Sequence, residues 1–353
     1  MGGNAFTSLP QEAFPRLPPE LYRTLKAYFT ILLQDLYTHV AVPREAPEKE
    51  DYGDIDFIVC APKTDCSHKD IQEVLGAVHV IPLQGNKTSN FAIPITAQYG
   101  ELMPVNGVVY CQVDINVCED VKEWERICFF HSYGDMGMIL GIVALNVGLA
   151  WGANGLKYPH PPHPPIILSK DHREILDFFG LSFDRWSSGF VTQEEVFRWV
   201  TSSRLFDPSR FSSAGQKVKP VRKMYHNFIQ QVKGLDSALD SLPTSQMSLG
   251  LDNAINRRDE VRAEALVHFG KKSELEEFLQ QVRTRETVKG IFNGHNVNEW
   301  TQLGGRWKSV KLVMDAVREK YGGERGLMDI IETEGEEGIK KRVLEASKVL
   351  ETT

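Results

Sequence analysis

Gly53-Asp54-Ile55-Asp56-Phe57-Ile58-Val59-Cys60 is the stretch on which the reading of this chain turns. It is apolar, rich in β-prone residues and followed by Pro62, which predicts a strand. Side chains alternate faces along a strand, so Asp54 and Asp56 project to one side and Ile55 and Phe57 to the other. Two carboxylates one pleat apart repel each other, and aspartate is disfavoured in strands. The strand gains little from such a pair, whereas adjacent hard oxygen ligands suit Mg²⁺. Gly53 allows a turn at the strand entry and the close approach of a phosphate.

The pattern recurs further along. In Cys111-Gln112-Val113-Asp114-Ile115-Asn116-Val117, the residues Gln112, Asp114 and Asn116 share one face, and the apolar residues share the other. If this strand lies beside the first, Asp114 completes a three-carboxylate cluster able to hold two cations. The competing reading makes Asp54 and Asp56 a solvated strand entry and Asp114 an unrelated polar-face residue. A third aspartate in a second apolar strand favours the metal site.

Around these strands the periodicity predicts a helix over 20–37, a short helix over 67–76, helices over about 120–131 and 135–147, and strands over 78–83, 91–97 and 108–117. Turn-rich segments separate the strands, and a Pro- and Glu-rich loop runs from Pro43 to Glu50. The order indicates an α+β fold, with a mixed sheet and helices, followed by a mostly α-helical second domain. Tyr158–Pro165 reads as a polyproline-like connector. This divides the chain into domains at 1–157 and 169–353 with a connector at 158–168. Thr192 and Glu195 form a capping-box pattern. Helices are expected over 218–233, 252–269, 273–284, 308–320 and 337–350.

The Gly-Asp-Ile-Asp strand, the meander after it and the Val113-Asp114-Ile115 strand resemble the nucleotidyltransferase superfamily of DNA polymerase beta, poly(A) polymerases and CCA-adding enzymes. The resemblance extends over about residues 1–150 in element order, with specific motifs only at the carboxylates. It implies two-metal transfer of a nucleoside monophosphate from an NTP, with Mg²⁺ or Mn²⁺ as cofactor. It carries over Asp54 and Asp56 as ligands of both metals, and Asp114 as ligand of the catalytic metal and partner of the attacking hydroxyl. The family's glycine turn for the triphosphate has no counterpart between Val40 and Tyr52. The nearest candidate is Gly2-Gly3-Asn4, a whole helix upstream; Gly53 is a further nucleotide-binding candidate, and Lys87, with Thr88 and Ser89 in a turn between strands, is a weaker one beside its reading as a plain hairpin loop.

The 353 residues suit two domains, and 42% hydrophobic with 25% charged residues is ordinary globular composition. A net charge of −7 confines any nucleic-acid binding to a local patch. Residues 201–233 provide one, with seven basic residues (Arg204, Arg210, Lys217, Lys219, Arg222, Lys223 and Lys233) against the single acid Asp207. Lys217, Lys219, Arg222, Lys223 and Tyr225 are the expected contacts to acceptor or phosphate. The five cysteines include no CxxC pair and read as reduced, packed thiols rather than a zinc site. There is no signal pattern and no apolar run long enough to span a bilayer, so the expectation is an intracellular protein, cytoplasmic or nuclear, with no membrane partner.

The functional expectation is NTP-dependent transfer to a hydroxyl, at an RNA 3′ end. Two alternatives stand beside it: nucleotidylation of a protein or small molecule, and a catalytically degenerate nucleic-acid-binding module.

Overall fold

The computed structural model describes residues 4–82, 88–95, 108–211, 222–239 and 250–351, with backbone alone at 234–239, 250–256 and 351. The chain divides into two compact units, Met1–Phe269 and Gly270–Thr353.

Helix α1 (Pro19–Leu36) opens on Pro18 and Pro19, where a helix start has no use for the missing N–H. Its face of Leu21, Tyr22, Leu25, Phe29 and Leu33 is buried. It passes directly into strand β1 (Tyr37–Ala41), which begins at the last residue of the expected helix and was not itself expected. Strand β2 (Asp54–Pro62) follows a connection over 42–53, and α2 (His68–Leu75) follows β2, closed by a Ser67/Asp70 capping box. Strands β3 (His79–Ile81), β4 (Thr88–Pro94) and β5 (Tyr110–Cys118) complete a five-stranded sheet in the order β1-β2-β5-β4-β3. Strands β2 and β5 are parallel and the other pairings antiparallel, which makes the sheet mixed, as expected. Helices α3 (Val121–His131) and α4 (Met136–Asn146) close this part.

The sheet has two unlike faces. On one, Ile55, Phe57, Val59, Val113 and Ile115 pack against α1 and against Ile71 and Leu75 of α2 to form a large core. On the other, Ile58, Cys60 and Cys118 pack against Ile127 of α3. Asp54 and Asp56 lie on this second face, two pleats and one pleat before Ile58, beyond that small apolar cluster.

The proline-dense segment is not a polyproline connector. It lies in a second sheet, β6 (Ala150–Gly152), β7 (Gly155–His160) and β8 (His163–Ser169), whose last two strands form a hairpin. The described elements that follow in the first unit are helices: α5 (His172–Phe179), α6 (Phe183–Ser188), α7 (Gln193–Thr201), α8 (Lys223–Leu239) and α9 (Gly250–His268). Thr192 caps α7 by accepting from the Glu195 N–H, while the Glu195 carboxylate reaches back to accept from the Val191 N–H.

The second unit is α10 (Lys272–Ile291), α11 (Gly294–Thr301), α12 (Trp307–Lys320) and α13 (Gly323–Glu351), with its own core of Val288, Phe292, Val297, Val313, Leu327 and Val343. The helix expected at 337–350 is the second half of α13, which breaks at Gly335 with φ 67°. Among the described residues no single helix is long and apolar enough to cross a bilayer.

Candidate metal centre

The parallel register of β2 and β5 sets Asp56 directly opposite Asp114, and Asp54 opposite Gln112. Each of the three aspartates offers an oxygen within 4.8 Å of the others. Asp54 and Asp114 are half-buried, and Asp56 is open to water on its outer side. The three residues expected to converge therefore do so, on two strands whose apolar faces are fixed by the large core.

The three carboxyls are crowded and mutually repelled, and all are raised above the ordinary aspartate range. Protein crowding pushes the Asp56 carboxyl up to about 8, with Asp54, Asp114 and Glu45 adding repulsion and Lys49 opposing it. Burial pushes Asp114 up to about 6, against the lowering effect of its hydrogen bonds from Asn90 and Gln112. Asp54 is also raised, by burial first, with Lys49 and Arg16 opposing. Three hard oxygen ligands, crowded and mutually repelled, with water access at one of them, form a donor set that fits a divalent cation such as Mg²⁺ or Mn²⁺.

The surroundings orient the ligands. Asn90 Nδ2 and Gln112 Nε2 both donate to Asp114 Oδ1, at 2.6 and 2.9 Å. Asn90 faces Asp114 across the β4–β5 ladder. The Gln112 amide is itself held, since its Oε1 accepts from the Ala5 N–H at 3.0 Å. Partners of this kind fix a ligand carboxylate in one rotamer and tune its basicity.

A second group approaches from the connection before β2. Tyr22 donates its phenolic proton to Glu45 Oε1, and Lys49 Nζ lies 2.8 Å from Glu45 Oε2. The Lys49 ammonium also sits 4.4 Å above the ring of Tyr52, which stacks on Tyr22 at 3.7 Å. Sequence reading found neither Glu45 nor Lys49. Their i,i+4 spacing was visible, but it lies in an irregular segment where that spacing implies no contact.

The other expected site residues scatter. Gly53 is buried at the entry to β2, and Asn4 is exposed, one residue before Ala5. Gly2, Gly3, Lys87, Lys217 and Lys219 lie outside the described residues. Thr88 and Ser89, expected in a turn, belong to β4, and Thr88 Oγ1 accepts from Asn116 Nδ2 at 3.0 Å. Arg222 and Tyr225 converge on the buried Asp135. The guanidinium donates to Oδ1 at 2.9 Å, and the Tyr225 N–H donates to Oδ2 at 3.1 Å. Tyr225 is itself buried at the start of α8, so its ring is not offered to a base, and Phe228 is a core residue. Lys223 is exposed.

No family model matches the chain, and no curated protein matches its sequence. Among solved structures it is similar to the ternary gap complex of Leishmania infantum polymerase beta, at 13% identity and a TM-score of 0.32. The match covers 43% of this chain and 54% of that one, so the chain spans about half the length of the structure it matches.

Proposed function

We propose that the chain is a divalent-metal-dependent nucleotidyltransferase that moves a nucleoside monophosphate from an NTP to a hydroxyl, at an RNA 3′ end. The observation that carries this reading is the convergence of Asp54, Asp56 and Asp114 on adjacent parallel strands, with ligand atoms within 4.8 Å. Asp54 and Asp56 would hold both cations, and Asp114 would share the catalytic one. When bound, the metals supply activation of the acceptor hydroxyl and charge neutralisation at the triphosphate and the leaving pyrophosphate. Asp114, held by Asn90 and Gln112, orients the acceptor hydroxyl and receives its proton as the new oxygen–phosphorus bond forms at the α-phosphate. The bond to the β-phosphate breaks, and pyrophosphate leaves.

Gly2-Gly3-Asn4 remains the proposed glycine turn for the triphosphate. Its support is the hydrogen bond from the Ala5 N–H to Gln112, the residue that also holds Asp114. The RNA acceptor is supported by the basic excess over residues 201–233, in which Lys223 is exposed.

The test is incubation of the protein with each labelled NTP, Mg²⁺ or Mn²⁺, and a mixed pool of RNA and DNA, beside an Asp54→Ala/Asp56→Ala control. RNA extension that vanishes in the control is the expected result. Label on protein side chains instead would move the acceptor to another class. No transfer and no metal binding would sink the enzymatic reading.

A further inference from the structure

The connection between β1 and β2 holds Glu45 and Lys49 beside the aspartates, and its outer side is bolted to the helical layer. The Tyr133 N–H donates to Arg44 O at 2.5 Å, and the Arg44 N–H donates to Ser132 Oγ at 3.1 Å. The Arg44 guanidinium donates to Trp186 O at 3.0 Å and Ser187 O at 2.8 Å, 5.0 Å from the centre of the Trp186 ring. Gly134, at φ 65°, leaves room for this approach, since a Cβ there would meet Ala46 Cβ at 2.8 Å. Further on, the Gln193 N–H donates to Glu48 Oε2 at 3.2 Å. The connection is thus a strap with a fixed back and a charged front.

The front carries a cation whose presence the aspartates alone do not require. A lysine beside three ligand carboxylates opposes metal binding, because it repels the cation they would hold. Among the described residues its ammonium makes a single hydrogen bond, to Glu45, and rests on the Tyr52 ring. An ammonium has three donors, so two remain. Glu45 is in turn held by Tyr22 in the core. A lysine so immobilised, with donors to spare and next to a divalent-metal site, fits a polyphosphate that brings negative charge to both the metals and the ammonium.

We infer that this strap seats the triphosphate of the nucleotide, with Lys49 as its phosphate-contacting cation, Glu45, Tyr22 and Tyr52 as its mount, and Arg44 as the residue that positions it; the inference rests on the reading of the metal centre given above. Lys49 thereby supplies charge in the interval before the aspartates where no glycine turn is present.

The test uses the full chain and two probes, Mn²⁺ alone and Mg²⁺-tripolyphosphate, with thermal unfolding as the check on folding. Lys49→Met is expected to bind Mn²⁺ about two- to fivefold more tightly, because a repelling charge is gone. The same variant is expected to bind Mg²⁺-tripolyphosphate about ten- to a hundredfold more weakly, through loss of charge-assisted hydrogen bonds. Lys49→Arg is expected to restore most of the tripolyphosphate affinity. Arg44→Lys, which cannot reach both carbonyls as a planar fork does, is expected to weaken tripolyphosphate binding while leaving Mn²⁺ binding within about twofold. A purely structural lysine would move both affinities in the same direction or neither. Tripolyphosphate binding equal in the wild-type chain and Lys49→Met overturns this inference and leaves the metal centre standing. A wild-type chain that binds neither probe overturns both.

Discussion

The two halves of one strand face make the most informative comparison in this molecule. Asp54 and Asp56 lie on the same side of β2 as Ile58 and Cys60, in an unbroken alternation. The later half is covered by α3 and packs as a small apolar cluster with Cys118 and Ile127, and Trp124 Nε1 donates to Ile58 O at 2.9 Å. Among the described residues the earlier half has no apolar cluster over it and carries carboxylates instead. The backbone is common to both, so the difference lies in what each half is for. The covered half anchors the strand, and the open half places charge where a stable sheet has no use for it.

Breaking the difference from the open side gives the largest effect. Asp56→Asn is expected to abolish metal binding and reduce nucleotide transfer by about a thousandfold or more, since several kcal/mol of charge stabilisation goes with the metal. Its metal-free stability is expected to equal or exceed that of the parent, because the repulsion is gone. Isothermal titration with Mn²⁺ and a transfer assay read the first part, and denaturant unfolding the second. A variant that transfers at the parental rate would refute the site.

The converse change puts a carboxylate into the covered half. Ile58→Asp is expected to destabilise the chain by about 3–5 kcal/mol in urea unfolding, because a buried charge there has no cation partner. A loss below about 1 kcal/mol would mean that α3 does not seal that half.

Smaller effects come from the residues that orient Asp114. Asn90→Ala and Gln112→Ala are each expected to weaken Mn²⁺ binding by about ten- to a hundredfold, with little change in unfolding midpoint. Unchanged affinity in both would mean that the carboxylate needs no holding.

The gentlest probe is pH. In the unfolded chain aspartates titrate near about 3.9. In the metal-free fold Asp114 is pushed up to about 6 and Asp56 up to about 8, so the folded state binds protons more tightly. Their contribution to stability is therefore complete below the unfolded value and is lost as pH rises through about 6 and then about 8. Water access at Asp56 moderates the slope. Thermal unfolding without metal is expected to weaken steadily from pH 5 to 9, and saturating Mg²⁺ to flatten the curve. A flat curve without metal would show that neither carboxyl is raised in the fold.

The aspartates were legible because strand alternation is a strict two-residue rule: Asp54, Asp56 and Asp114 could be assigned to faces before any pairing was known. Helix α1 was legible for the same reason at helical spacing. Strand β1 was not, because Tyr37-Thr38-His39 follows Leu36 with no turn residue to mark the change. The hairpin of β7 and β8 was misread through its prolines, which lack the ladder donor. In the structure Pro159, Pro161, Pro162, Pro164 and Pro165 all fall outside the paired positions, which go to Leu156, Lys157, Tyr158 and His160 opposite Ser169, Ile167, Ile166 and His163. The Glu45–Lys49 mount was illegible because its partners, Tyr22 and Tyr52, come from a helix and from the strand entry. Only the folded connection brings them together.

The parallel pairing of β2 with β5 has a consequence for synthesis. Asp54 and Asp56 are translated long before Asp114, and the two strands meet only after α2, β3 and β4 have been made. A chain emerging from the ribosome therefore carries two thirds of a ligand set and no partner strand to complete it. Pairing strands this far apart in sequence is slow relative to local helix formation. The three aspartates thus come together only after the sheet closes, and a nascent or truncated chain ending before Asp114 lacks the third of them.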